Sequence, residues 1–103
     1  MKATINYKVY DTAKATSVAE DQSNHAGGHF HAWEEQLYVT AKGNWFVHGR
    51  GGAMTKYATH EGNDSSGGER IVPMTREEAL AWCEDHKAQD AIDAHFSDLI
   101  CEA

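Results

Sequence analysis

Long apolar runs are missing from this chain, and with them any stretch that would cross a bilayer as a helix. The Met-Lys start shows no apolar segment of a secretory leader, so the sequence predicts a protein that stays in the cytoplasm. Cysteine is nearly absent too. Cys83 and Cys101 are the whole supply, which is too few for a disulfide framework and predicts reduced thiols in a reducing compartment. Basic residues are scarce towards the C-terminus. Residues 75–103 hold Arg76 and Lys87 against Glu77, Glu78, Glu84, Asp85, Asp90, Asp93, Asp98 and Glu102, a balance of −6 out of the net −7. That excess of acid argues against nucleic acid or an anionic membrane as direct partner, and suits a basic protein surface.

What remains is enough for one domain, because 103 residues with 41 % hydrophobic side chains can bury a single core. "TINYKVYDT" alternates Ile5, Tyr7 and Val9 against Asn6, Lys8 and Tyr10, a period of two that predicts a strand. "AKATSVAED" predicts a second strand after a reversal at Asp11–Lys14, and residues 21–32 lack periodicity and read as a loop. "EEQLYVT" and "NWFVHG" are β-prone runs joined by "AKG", a hairpin in which Gly43 takes positive φ. Leu37 and Val39 then share a face with Trp45 and Val47 as cross-strand neighbours. The glycines of "GRGG" allow a sharp exit from the sheet, and "AMTKYATH" predicts a short helix with Met54, Tyr57 and Ala58 on one side.

"EGNDSSGG" reads as a further loop, and "ERIVPM" as a short strand that Pro73 confines to an edge or an end. Thr75 and Glu78 form a capping box for a helix running to about Lys87, with Ala79, Leu80, Trp82 and Cys83 inward. Ile92, Phe96, Leu99 and Ile100 predict a second helix over 89–101. The expected fold is α+β in a single domain, with strands and loops in residues 1–74 and acidic helices in 75–103. An antiparallel sheet of about four to five strands carries a short helix after its central hairpin and two C-terminal helices packed on it.

The candidate chemistry is sparse. His25, His29 and His31 lie near Glu34 and Glu35, and His29 and His31 would project to one face of a strand. His-x-His followed by Glu resembles the first metal motif of the cupin barrel, but the second cupin motif is absent. The expectation is therefore loop histidines with no bound metal or cofactor. His48, Arg50, Gly51 and Gly52 form a turn that could hold a phosphate or carboxylate on backbone amides, although it lacks the Lys-Ser/Thr of a P-loop. Cys83 beside Leu80 and Trp82 reads as a small core hydrophobe, not a nucleophile. No catalytic constellation emerges, and the protein is expected not to be an enzyme.

The stretches "YDT" (10–12), "EEQLYVTAKGNWFVHGRGGAMTKYA" (34–58) and "GGERIVPMTREEALAWCEDH" (67–86), with the acidic end, form a pattern that spans most of the chain. It resembles a family of small proteins of bacterial phages, plasmids and integrative elements. In size and charge such proteins resemble anti-CRISPR and anti-restriction inhibitors, which act by stoichiometric binding. The resemblance implies a non-enzymatic inhibitor in the host cytoplasm, bound to a defence protein or ribonucleoprotein with a basic surface. Glu77, Glu84, Asp85, Asp90, Asp93 and Asp98 would face that surface. The competing expectation is a metal- or small-ligand-binding module, with hydrolysis as its candidate activity, using His25, His29 and His31 with His48 and Glu34. Trp33 and Trp45, read as exposed, would equally serve a homodimer.

Overall fold

Residues that alternate between two environments form the centre of the molecule. The computed structural model describes residues 1–23 and 30–103. In chain order its strands are β1 (Lys2–Ile5), β2 (Lys8–Asp11), β3 (Thr16–Gln22), β4 (Trp33–Val39), β5 (Trp45–Gly51), β6 (Thr59–Glu61), β7 (Asp64–Ser66) and β8 (Gly68–Met74). Helices α1 (Arg76–Asp85) and α2 (Gln89–His95) follow, with a 3-10 turn at Ser97–Leu99. Strands β3-β4-β5-β8 form the central antiparallel sheet, while β1-β2 and β6-β7 are separate hairpins. The fold is α+β with its helices at the C-terminal end, as the sequence predicts.

Each face of the sheet has its own core. Leu37 pairs with Val47 and Val39 with Trp45, so these side chains share a face. Ala79, Trp82, Cys83, Ala91, Ile92 and Phe96 of the helical layer pack there. Trp45, expected at the surface, is buried, with its ring 4.8 Å from that of Phe96. On the other face Tyr38 stacks on Phe46 at 5.1 Å, and Tyr10 of β2 meets Phe46 edge-on at 5.4 Å. The β1-β2 hairpin thus covers the second face. Pro73 sits on edge strand β8, where a missing ladder donor is tolerated.

Four local expectations are corrected. "TINYKVYDT" is two strands, because Asn6 (φ 51) and Tyr7 (φ 68) form a two-residue turn between Ile5 and Lys8. Both central residues need positive φ in such a turn; Asn suits that, but Tyr hides the signal inside an alternating pattern. The short helix after β5 is instead a series of turns, with Thr55 N–H bonded to Gly52 O and Ala58 N–H to Thr55 O, both at 3.1 Å. Those i to i+3 bonds hold the segment against the sheet without propagating into a helix. "EGNDSSGG" holds the turn and the second strand of the β6-β7 hairpin, which turns at Gly62 with φ 59.

The second C-terminal helix also stops early. Arg76 donates to the carbonyl of His95 at 2.8 Å and to Asp98 Oδ2 at 2.8 Å. This guanidinium satisfies a terminal carbonyl and pins the chain where it leaves the helix. Leu99 and Ile100 consequently remain exposed instead of completing an apolar stripe. The capping box is as expected: Thr75 Oγ1 accepts from Glu78 N at 3.1 Å and Glu78 Oε1 from Thr75 N at 2.8 Å. Among the described residues no helix is long and apolar enough to cross a membrane.

Candidate functional site

Strand β4 carries a charge on its core side. Glu35, Leu37 and Val39 share one face, so alternation sends the Glu35 carboxylate towards α1, where it is only 2 % exposed. Three donors meet it, from Trp82, Lys56 and Tyr57, with His86 close by. Trp82 Nε1 donates to Oε1 at 3.0 Å, and His86 Nε2 stands 3.4 Å from the same oxygen. Lys56 Nζ lies 2.8 Å from Oε2, and Tyr57 Oη donates to Oε2 as well. Beyond His86, Asp21 Oδ2 closes the line at 2.6 Å from Nδ1. The His86 ring also stacks on Trp82 at 4.1 Å. One carboxylate thus joins the sheet, the turns after β5 and helix α1.

Electrostatics follows from this arrangement. Burial alone would push the Glu35 carboxyl upward, but hydrogen bonds from Lys56, Tyr57 and Trp82 outweigh it and hold the pKa below its ordinary value. The His86 hydrogen bond does the same for Asp21. Burial and the adjoining carboxylate push the Tyr57 phenol well above its usual range. Burial likewise raises the Cys83 thiol, which favours the inert protonated form. Glu35 is therefore held ionised by three donors, a poor arrangement for a proton carrier and a strong one for tying elements together.

The glycines of "GRGG" serve this cluster, which corrects their expected role. Gly49 and Gly51 lie within β5, and neither takes positive φ. A Cβ at Gly49 would collide with the Tyr57 ring, and one at Gly51 with the Thr55 side chain. Their function is close approach: the bare strand lets the turns fold back until Tyr57 reaches Glu35.

The expected ligand turn is not an anion cradle. Gly51 pairs with Trp33 and Gly68 in the sheet, and Gly52 N–H is taken by Ala32 O at 2.9 Å. His48 and Arg50 project to the opposite face, His48 lying 3.0 Å from Glu69 and Arg50 paired with Glu34. Glu34 and His48 thus each have another ion-pair partner. His31 and half-buried Trp33 line a cavity beside Glu35, whereas His25 and His29 lie outside the described residues. Among the described residues no group of three or more His, Cys, Asp or Glu could hold a metal ion.

The acids expected to meet a partner are placed on the helical layer. Glu77, Glu84, Asp85, Asp90, Asp93 and Asp98 are all exposed. Asp98 is consumed by Arg76, and Asp93 accepts from Gln89 at 2.9 Å. Among the described residues, Glu84, Asp85 and Asp90 have no side-chain hydrogen-bond or ion-pair partner.

Lys56, Tyr57, Trp82, His86 and Asp21 were not foreseen as a group. The signal that leads to them is Glu35 itself, because an acid at a core-facing strand position demands buried donors. Comparison with known proteins adds no further constraint, since no family model, curated protein or solved structure matches this chain.

Proposed function

We propose that the chain is a non-enzymatic protein-binding inhibitor of the kind carried by mobile genetic elements, most simply of the anti-CRISPR type. In this reading the outer layer of α1 and α2 docks on a Lys/Arg-rich groove of a host nucleic-acid-binding complex. The observation that carries it is the charge at the C-terminal end of α1. Glu84 and Asp85 occupy that last turn, which holds no basic residue. Carboxylates there face the negative end of the helix dipole, at a cost of about 0.3–1 kcal/mol each. Folding alone favours lysine at these places, whereas a basic partner favours acid. The Glu35 cluster supports the non-enzymatic side of the reading, because its carboxylate is committed to internal donors.

The test separates folding from binding. The triple variant E84K/D85K/D90K should fold, and its substitutions at 84 and 85 should stabilise α1. Each reversal replaces an attraction with a repulsion of roughly 0.5–1 kcal/mol at a solvated surface, so affinity for a basic target should fall by roughly a hundredfold. The readout is plaque formation by a targeted phage on a CRISPR-active host expressing either form. Wild type should rescue the phage and the variant should not, while a control reversing Glu20, Glu61 and Asp64 should behave as wild type. Equal rescue by the triple variant eliminates the acidic-layer docking, and no rescue by wild type eliminates the inhibitor reading.

A further inference from the structure

The cavity beside Glu35 has a second property, independent of the acidic layer. It measures about 330 Å³ and lies between β4, the turns after β5 and the end of α1, lined by His31, Trp33, Glu35, Met54, Thr55, Lys56 and His86. That volume is at the small end of ligand-sized pockets. The polar groups on its wall are unequally used. Glu35 Oε1 accepts from Trp82, and Oε2 from Lys56 and Tyr57. The Thr55 hydroxyl donates to Gly52 O at 2.8 Å and accepts from Tyr57 N at 3.2 Å. His86 Nδ1 is engaged by Asp21 at 2.6 Å.

Lys56 is the exception. Glu35 accepts from it at 2.8 Å and fixes its position, yet the side chain is 67 % exposed. An ammonium carries three donors, so Lys56 retains N–H capacity after meeting Glu35. The unspent hydrogen-bonding capacity at Lys56 is therefore cationic and donor-only. Beside it, Trp33 and Met54 give the wall an aromatic and apolar part. Trp33 meets His86 edge-on at 5.8 Å, and Met54 is exposed at the mouth, its N–H bonded to Phe30 O at 2.7 Å. Phe30 is itself exposed and extends that rim.

We propose that this cavity binds a small carboxylate with an aromatic or apolar body, its anionic end on Lys56 and its body against Trp33 and Met54. A cationic ligand would meet the like charge of Lys56, and a purely apolar one would bury that ammonium without an acceptor. The site does not use the outer acids of α1 and α2, so it stands or falls separately from the inhibitor reading.

Titration of the isotopically labelled full chain with benzoate, indole-3-acetate and the neutral analogue benzamide, followed by NMR, tests the assignment. At least one of the carboxylates should give saturable shifts at the Trp33 indole N–H and at the Lys56 and His86 amides, with a Kd of about 1 mM. Losing the charge-assisted contact should make benzamide about tenfold weaker. Lys56→Gln keeps a donor for Glu35 but loses the charge, and should reduce carboxylate binding to the benzamide level. Absence of saturable shifts with both carboxylates overturns the proposal. So does equal binding of benzamide, or a response centred away from Trp33 and Lys56. The charged and neutral probes decide the matter on wild type even if the variant fails to fold.

Discussion

Adjacent glutamates in β4 show how far position outweighs residue type. Glu34 makes an exposed pair with Arg50 on the opposite face of the sheet, whereas Glu35, next in the chain, is buried among Lys56, Tyr57, Trp82 and His86. Glu35→Ala strands the Trp82 N–H and Tyr57 O–H in the core and leaves Lys56 without its acceptor. It should cost about 3–5 kcal/mol, the range for removing one partner of a buried charged network. Tyr57→Phe deletes one donor and should cost about 1–2 kcal/mol. Glu34→Ala breaks an exposed pair and should stay within about 0.5 kcal/mol. Urea unfolding of the three variants reads the differences directly. A loss below about 1 kcal/mol for Glu35→Ala would mean that desolvation of the carboxylate cancels its hydrogen bonds, and that the cluster does not hold the fold. The clue to Glu35 was in its alternation with Leu37 and Val39. Its partners were not legible, because Asp21, Lys56 and His86 sit on separate elements that only tertiary packing brings together.

At the scale of elements, regular patterns were legible and left-handed backbone at non-glycine residues was not. The central hairpin, its Gly43 turn, the edge position of Pro73 and the capping box all follow from residues whose chemistry suits one local conformation. The β1-β2 turn and the end of α1 instead place Tyr7 (φ 68) and Lys87 (φ 57) where glycine is preferred. After Lys87 the chain closes a Schellman motif, with Ala88 N–H bonded to Cys83 O at 2.9 Å and Lys87 N–H to Glu84 O at 3.3 Å. A non-glycine residue in this region costs roughly 1–2 kcal/mol, partly offset because glycine loses more backbone entropy on folding. Tyr7→Gly and Lys87→Gly should therefore each stabilise by about 0.5–1 kcal/mol, seen as a higher urea midpoint at unchanged slope. The Tyr7 case is the cleaner, since its side chain is fully exposed. Destabilisation at either site would show that side-chain contacts outweigh the backbone term there.

For the whole molecule, two electrostatic effects pull stability in opposite directions on acidification. A net charge of −7 means self-repulsion, and neutralising the exposed acids of the helical layer relieves it. Against that, Asp21 and Glu35 have folded pKa values held below their ordinary 3.8 and 4.5. The unfolded chain therefore binds protons first. Stability from these two groups is complete above their ordinary values and is lost as pH falls through the lowered folded ones. The outer acids are solvated and salt-screened, so their repulsion is weak beyond about 10 Å in 0.1 M salt. The buried pairing should win. The urea midpoint should hold from neutral pH to about 5 and then drop steeply, with a shallower acid limb in Glu35→Gln. Tyr57 sets the other limb. Its folded pKa is raised, so its contribution is complete below the ordinary 10.0 and declines as pH rises beyond it. Tyr57→Phe should remove that alkaline decline while leaving the acid limb largely in place. If stability instead rises as pH falls from 5 to 3, long-range repulsion outweighs the Glu35 cluster. The molecule would then be governed by its surface charge and not by the carboxylate beneath α1.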